Sequence, residues 1–226
     1  IRLQIDVMES NISGEYMLIE QRKWHGIIIS MGSILLGMLL GVGGSVWLTR
    51  SRKKIINLSL IDSLTGIYNR RGLEQSFGRL NKYCLMNPPI GFSMLMMDID
   101  KFKSINDRFG HDVGDMALKA FAENTRTMIR SKDVFGRFGG EEFLLVLPET
   151  TSTEAHVLAE RIREGIAAAS IDLPGRREPL TITVSIGCAT ASTGSSEVEA
   201  VLKAADEAMY QAKANGRNQV VCKASV

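Results

Sequence analysis

Arg-Phe-Gly-Gly-Glu-Glu-Phe, residues 137–143, sets two glycines beside two carboxylates between apolar runs. Residues 133–135 precede it and the apolar run 143–147 follows it, so the pattern predicts a strand, a tight turn and a second strand. Glycine at the tip tolerates positive φ and lets a ligand approach the backbone closely. Glu141 and Glu142 are too costly to bury as packing residues, so we expect them to face either solvent or a metal ion.

A second acidic stretch ends the apolar run at residues 90–99, where the sequence reads Met-Asp-Ile-Asp from residue 97. If the run is a strand, Asp98 lies on one face with Phe92 and alternate residues between them. A buried strand that ends in carboxylates presents oxygen ligands at the edge of a sheet, which suits Mg²⁺. The alternative is that one of the two aspartates caps the following helix, and we expect Asp100 rather than Asp98 to do so.

The composition describes one domain with appendages. The chain has 226 residues, is 45% hydrophobic and carries a formal net charge of +2, so it shows no sign of general nucleic-acid binding. Its three cysteines, Cys84, Cys188 and Cys222, lack the spacing of a metal site. They indicate buried thiols in a reducing compartment rather than a disulfide framework.

Residues 27–48 carry no charge and are long enough to cross a bilayer as a helix. Trp24 and Trp47 stand at the two ends, and the heavier positive charge follows the span, which predicts that the C-terminal part is cytoplasmic. Small residues recur every fourth position within the span and form one stripe, which favours close approach of two helices: Ser33, Gly37, Gly41 and Ser45.

Four segments are therefore expected. Residues 1–26 form an extracytoplasmic tail of a preceding sensor domain, and their alternating start, residues 1–7, indicates either its last strand or a disordered tail. Residues 27–48 form the transmembrane helix, residues 49–61 a cytoplasmic linker that passes a signal or serves as a passive tether, and residues 62–226 the soluble domain.

The soluble domain alternates helical and extended patterns. Apolar spacing predicts helices at 71–85, 113–129, 155–166 and 201–212, and strands at 90–98, 180–186 and 219–222 in addition to the hairpin. The alternation predicts an α/β (α+β) fold with a central sheet and helices packed on it.

Several motifs of this domain occur together in a known order. They are Asp-x-Leu-Thr-Gly at 62–66, Asp-x-Asp-x-Phe-Lys at 98–103, Gly-Gly-Glu-Glu-Phe at 139–143, Ser-Ile-Gly at 185–187 and Gly-Arg-Asn at 216–218. Residues 62–222 thereby resemble the GGDEF domain, the catalytic module of diguanylate cyclases. The signature here is Gly-Gly-Glu-Glu-Phe, with Glu141 where the family name has Asp, and both forms occur in active members of the family. The resemblance implies a nucleotidyl-cyclase-like, mostly antiparallel sheet flanked by helices.

The resemblance also implies a reaction. Two GTP molecules give cyclic di-(3′→5′)-GMP and two pyrophosphates at the interface of a homodimer, with Mg²⁺, or alternatively Mn²⁺, as the metal. Asp98, the Ile99 carbonyl, Glu141 and Glu142 correspond to the metal ligands, and Glu141 additionally helps to deprotonate the attacking 3′-hydroxyl. Phosphoryl transfer needs metal charge and positioning more than covalent chemistry, which agrees with this set.

The remaining site residues also follow from the resemblance. Asn106 and Asp115 correspond to the pair that reads guanine, and the Asp115 carboxylate can accept the N1 and N2 hydrogens that adenine lacks. The other expected substrate contacts are His111, the backbone amides of Phe102 and Lys103 in the loop after the first strand, and the cations Lys213 and Arg217. The two cations have the alternative role of compensating a helix dipole, and His111 that of a hydrogen bond at a helix start.

Arg130 and Asp133 match the family's Arg-x-x-Asp inhibitory site, which implies feedback inhibition by the product. A different class remains open, namely a catalytically silent GGDEF-like module that binds a nucleotide or cyclic di-GMP. The expected location is the bacterial inner membrane, with the catalytic domain in the cytoplasm as part of a signalling protein.

Overall fold

The structure is a computed structural model that describes residues 23–24, 30–38, 40–41, 60–86, 91–176, 178–191 and 198–223, with backbone alone at 81–86. The chain divides into two compact units, Ile1–Leu58 and Ser59–Val226. The boundary lies close to the predicted start of the soluble domain at residue 62.

In the first unit, the described residues 30–38 and 40–41 are helical, and their large apolar side chains are exposed. Among the residues that the structure describes, no helix combines the length and the apolar character needed to cross a membrane. The predicted strand at 1–7, half of the predicted span at 27–48 and the linker up to residue 59 lie outside the described residues. The span therefore stays a prediction.

The described part of the second unit alternates strands and helices. In chain order the elements are β1 (Tyr68–Asn69), α1 (Arg70–Met86), β2 (Phe92–Ile99), α2 (Phe102–Phe109), α3 (His111–Met128), β3 (Val134–Arg137), β4 (Glu142–Pro148), α4 (Ser152–Ala168), β5 (Val184–Thr190), α5 (Val198–Ala214) and β6 (Val220–Cys222). The strands form one sheet in the order β1-β3-β4-β2-β5-β6. The outer pairs are parallel and the three inner pairs antiparallel, so the predicted α/β fold with a mostly antiparallel sheet is confirmed.

The central strand β2 separates two apolar layers, because all eight of its residues are buried. Leu95, Met97 and Ile99 pack in the layer that contains α2, α3 and α4. The alternate residues, including Met94 and Met96, pack in the layer formed by α1 and α5. Side chains alternate along a strand, so Asp98 belongs to the second layer and points to the side that α5 covers.

Three local predictions were wrong. The strand predicted at 180–186 is β5 at Val184–Thr190, because the fully buried part of this stretch begins at Val184, while Leu180 makes only an isolated bridge to Ile171. The loop expected at Phe102 is the first turn of α2. Asp100 does not cap that helix, because Lys101 occupies the cap position without a side-chain hydrogen bond.

Candidate active site

The turn between β3 and β4 is held by backbone and side-chain hydrogen bonds. The amides of Phe138 and Gly139 donate to the Glu142 carbonyl at 2.8 and 3.2 Å. Arg137 donates from Nε and Nη2 to the Gly140 carbonyl at 3.0 and 2.6 Å. A side chain at Gly139 would overlap the Glu142 carboxylate, so glycine there gives this carboxylate its space. These contacts define the backbone of the turn that carries Glu141 and Glu142.

The structure places the four predicted metal ligands on neighbouring stretches of backbone. Asp98 and Glu142 are paired residues of neighbouring strands β2 and β4. The Ile99 amide donates to the Glu141 carbonyl at 3.3 Å, which joins the end of β2 to the hairpin. Two acidic stretches that lie more than 40 residues apart in the sequence are thus neighbours where β2 ends and β4 begins.

Lys213 is the cation of this carboxylate cluster. Its Nζ lies 2.7 Å from Asp98 Oδ2, and the Asp98 side chain is only 6% exposed. Burial raises the pKa of Asp98 to about 6; the hydrogen bond and charge of Lys213 lower it, and the charges of Glu141 and Glu142 raise it further. Lys213 lies in the last turn of α5, yet its ion pair with Asp98 shows that it does more than compensate the helix dipole.

The oxygen donors of this carboxylate cluster are of the type that binds a hard divalent cation. Asp98, Glu141 and Glu142 supply carboxylate oxygens, which Mg²⁺ prefers. A cation would offset the burial of Asp98, which chiefly raises its pKa, and the smaller repulsion from Glu141 and Glu142. Among the described residues, however, no group of three or more His, Cys, Asp or Glu side chains has the arrangement of a metal site.

The predicted guanine-reading residues lie at the junction of α2 and α3. Asn106 on α2 lies directly against Gly114 on α3, where a side chain would overlap its Oδ1. That Oδ1 is buried and has no hydrogen-bond partner in the described structure. Asp115 is the next residue on α3 and is exposed, and His111, the first residue of the same helix, is exposed as well.

Phe102 and Lys103 begin α2 instead of standing in a loop. The ring of Phe102 is buried in the core, so only its backbone is available to a ligand, while Lys103 is exposed. Lys101 adopts the left-handed conformation, with φ of 56°, and its carbonyl accepts from Ser104 and Ile105. The first amides of a helix have no partner within the helix and attract anions, so this turn can still face a phosphate.

Asp100 fastens the turn that follows α5. Its carboxylate accepts from Thr183 Oγ1 at 2.7 Å, Ser185 Oγ at 2.6 Å and the Asn218 amide at 3.0 Å. Arg217 precedes Asn218 in this turn and is exposed. Arg217 also lines a cavity of about 420 Å³ that includes Lys101 and Arg108. The sequence analysis missed this network, because its members are far apart in the sequence and no local pattern connects them.

The predicted inhibitory pair forms a local turn. The Arg130 amide donates to Asp133 Oδ2 at 2.8 Å, which leaves the exposed guanidinium of Arg130 outside this contact. Burial raises the pKa of Asp133, and the hydrogen bond and charge of Arg130 lower it in part. Both residues line two cavities, of about 330 and 230 Å³.

A further aspartate, missed as a structural anchor, supports the hairpin from the start of the domain. Asp62 Oδ1 accepts from the Thr65 amide at 2.9 Å and from its hydroxyl at 2.7 Å. Arg137 lies 3.5 Å from both carboxylate oxygens. Burial raises the pKa of Asp62, but the Thr65 hydrogen bonds and the Arg137 charge hold it below its ordinary value.

Comparison with known sequences identifies a family. The family model described as diguanylate cyclase, GGDEF domain, matches residues 59–219. The response regulator PleD of Caulobacter vibrioides is 42% identical over 171 residues, which are 75% of this chain and 37% of PleD. The diguanylate cyclase DgcP of Pseudomonas aeruginosa is 43% identical over 164 residues, 72% of this chain and 24% of DgcP. The chain thus spans less than half the length of these curated relatives.

Solved structures agree with the sequence comparison. The coiled coil and GGDEF domain of DgcB from Caulobacter crescentus, in complex with c-di-GMP, has a TM-score of 0.69 and 26% identity, covering 84% of this chain and 99% of that one. The active GGEEF domain of a diguanylate cyclase from Vibrio cholerae has a TM-score of 0.61 and 32% identity, covering 74% and 100%.

Proposed function

This chain belongs to the GGDEF domain family of diguanylate cyclases, and from that premise we propose that it condenses two GTP molecules to cyclic di-(3′→5′)-GMP and two pyrophosphates. The observation that carries the proposal is the meeting of Asp98, Glu141 and Glu142 beside Lys213 at one sheet edge. The solved relative with the same Gly-Gly-Glu-Glu-Phe signature is described as active, which supports a working enzyme with this form of the motif.

In this proposal Asp98, Glu141, Glu142 and the Ile99 carbonyl hold Mg²⁺, or alternatively Mn²⁺. The ion, when bound, neutralises triphosphate charge and stabilises the charge that develops during phosphoryl transfer. Lys213 balances the carboxylates and contacts phosphate oxygens, for which an ammonium group is suited. Arg137 positions Glu141 and Glu142 indirectly, through its two hydrogen bonds to the Gly140 carbonyl.

The remaining residues bind and select the nucleotide. Asn106 and Asp115 read the guanine edge, with His111 nearby, and the buried, unpartnered Asn106 Oδ1 supports a polar ligand at this junction. The first amides of α2, at Phe102 and Lys103, together with Arg217, contact the phosphates. An acceptor carboxylate at Asp115 favours GTP over ATP, because adenine lacks the hydrogens it would accept.

The reaction requires two copies of the domain. Each domain holds one GTP, and the 3′-oxygen of each attacks the α-phosphorus of the other, while Glu141 accepts the hydroxyl proton and pyrophosphate leaves. Two such attacks close the ring and release two pyrophosphates. We therefore propose a homodimer as the active species.

Pyrophosphate release from GTP and from ATP, with the nucleotide product identified by mass, tests the activity. We expect turnover of GTP only, and abolition of turnover with retained GTP binding in Glu141→Gln. Glu123→Gln, an exposed glutamate on α3, is the matched control and should keep full activity. A parent chain that binds GTP or cyclic di-GMP without turnover would instead establish the silent binding module.

Product feedback is proposed at Arg130 and Asp133. Arginine pairs with phosphate and stacks on bases, and the two residues line neighbouring cavities on this surface. Added cyclic di-GMP should inhibit the parent chain, and Arg130→Ala should relieve that inhibition while the rate without product stays the same. Arg79→Ala on α1 is the control. Equal inhibition of Arg130→Ala and the parent by cyclic di-GMP would refute the proposed inhibitory site.

Membrane anchoring is proposed for residues 27–48, with the catalytic domain on the cytoplasmic side. The uncharged sequence and the positive residues after it support this arrangement. Replacing Gly37 and Gly41 with isoleucine should weaken self-association in a membrane, whereas Gly32→Ile, off the small-residue stripe, should not. Recovery of the parent chain outside the membrane fraction would refute the anchor itself.

A further inference from the structure

Two cysteines are neighbours at the edge of the sheet away from the hairpin. Cys188 of β5 and Cys222 of β6 are paired residues of parallel strands, and their thiols share a hydrogen bond. Cys188 is buried and Cys222 is exposed, so the expectation of buried thiols was wrong for Cys222. Neighbouring strands lie about 4.8 Å apart, which is within the range of Cα separations that a disulfide spans.

A histidine completes the group. His156 projects from α4, and its Nδ1 lies 3.4 Å from Cys222 Sγ. The hydrogen bond from Cys188 lowers the pKa of Cys222 to about 6; burial opposes this, His156 lowers it further, and Glu160 on the same helix raises it. Donation of that hydrogen bond, together with burial, raises the pKa of Cys188. Cys222 is thus the thiolate of the pair, and Cys188 is the neutral thiol.

A metal site is the competing use of such residues, but structural zinc needs four ligands. No set of three or more candidate ligands with suitable spacing occurs in the part of the chain that the structure describes. An exposed thiolate beside a histidine and a second thiol is instead the arrangement of a redox-reactive cysteine with a resolving partner.

We propose that Cys222 and Cys188 form a peroxide-sensitive pair that closes to a disulfide. The Cys222 thiolate attacks one oxygen of hydrogen peroxide, the O–O bond breaks, and the departing hydroxide is protonated to water, leaving a sulfenic acid. The Cys188 sulfur then attacks the Cys222 sulfur, the S–O bond breaks, and the hydroxide leaves as water with the Cys188 proton. The two thiols lose two electrons and peroxide gains them; a dithiol reductant reverses the step.

Disulfide formation would fasten β6 to β5. The strand β6 has three residues and lies at the edge of the sheet, where it pairs with β5. The inference does not depend on the proposed cyclase activity, because neither cysteine nor His156 belongs to the site at the hairpin.

Alkylation of the 226-residue chain by iodoacetamide, followed residue by residue by peptide mass, tests the thiolate. The Cys222 rate should rise with a midpoint near pH 6. At pH 5 Cys222 has a larger thiolate fraction than free cysteine, but its thiolate is a weaker nucleophile. Together these effects predict that Cys222 is alkylated about 20-fold faster than free cysteine. His156→Gln should move the midpoint upward. A midpoint at the ordinary thiol value, about 8.5, would overturn the assignment.

One equivalent of hydrogen peroxide tests the pair. The parent chain should lose the mass of two hydrogens, yield linked peptides containing Cys188 and Cys222, and recover with dithiothreitol. Cys84→Ser should behave identically. Cys188→Ala also loses the hydrogen bond that lowers the Cys222 pKa, so it should react more slowly than the parent and stop with one added oxygen on Cys222. Two outcomes would refute the proposal. In one, Cys222 of the parent is oxidised but Cys188 can still be alkylated after unfolding; in the other, the disulfide involves Cys84.

Discussion

Gly187 of β5 allows α5 to pack directly on the sheet. Gly187→Ala therefore tests whether this packing sets the position of Lys213 on α5. A Cβ there would lie 2.8 Å from Met209 Cα and closer still to the Met209 amide and the Ala205 carbonyl. All three atoms are backbone, which cannot rotate away as a side chain would. To restore a carbon–carbon contact of about 3.5 Å, α5 must retreat by roughly 0.7 Å or more.

The cost follows from this displacement. Overpacking a close-packed core costs about 1–3 kcal/mol, and we expect the upper end because backbone must move. A loss of about 3 kcal/mol corresponds to a melting temperature lower by roughly 6–12 °C in a domain of this size. The same retreat draws Lys213 away from Asp98, a pair now 2.7 Å apart. Misplacement on this scale can lower turnover on the order of 100-fold.

Thermal unfolding followed by circular dichroism and pyrophosphate release from GTP together measure the two effects. Gly78→Ala is the matched control, because a Cβ at this position of α1 meets no atom within 4 Å and helix propensity favours alanine. Gly187→Ala with an unchanged melting temperature and full activity would refute the claim that contact between α5 and β5 sets the position of Lys213.

Three further outcomes are expected. Gly114→Ala should displace Asn106 and raise the KM for GTP more than it lowers kcat, as steady-state kinetics would show; equal effects on both would argue against a guanine contact. Arg137→Lys should lower kcat about tenfold or more with little change in GTP binding, since lysine cannot make both hydrogen bonds to Gly140. The depressed pKa of Asp62 stabilises the fold above the ordinary aspartate pKa, and this stabilisation disappears as the pH falls through the folded-state pKa. Asp62→Asn should therefore lower the melting temperature at pH 7 but not in strong acid, and a constant difference at all pH values would contradict this assignment.

The convergence of Asp98 with the hairpin was predictable because each part has a local signal. Strand periodicity fixes the face of Asp98, and the paired glycines between two apolar runs fix the turn that presents Glu141 and Glu142. Their pairing across β2 and β4 needed only the inference that both stretches end at the same edge. The motif resemblance supplied that inference, whereas the hairpin stretch alone favoured solvent over a metal ion for the glutamates.

The missed features lack such local signals. Arg137 acts on a backbone carbonyl, and any residue at position 140 would supply that carbonyl. The first turn of α2 was mistaken for a loop because its cap is Lys101 in the left-handed conformation rather than a serine or aspartate. The partners of Asp100 stand 83, 85 and 118 residues further along the chain, beyond the reach of any periodicity argument.

Asp98 and Asp100 show how two nearby carboxylates acquire different roles. Asp100 receives three hydrogen bonds from donors that are themselves fixed in or beside β5 and the turn after α5, so its oxygens are committed. Asp98 faces a single ammonium group and two other carboxylates, an environment that is charged and incompletely neutralised. Because Asp100 fixes the turn that carries Arg217, and Lys213 on the preceding helix pairs with Asp98, the proposed phosphate-binding cations and metal ligands are tied to the same end of β2. A change in the packing of α5 should therefore move both sets together rather than either one alone.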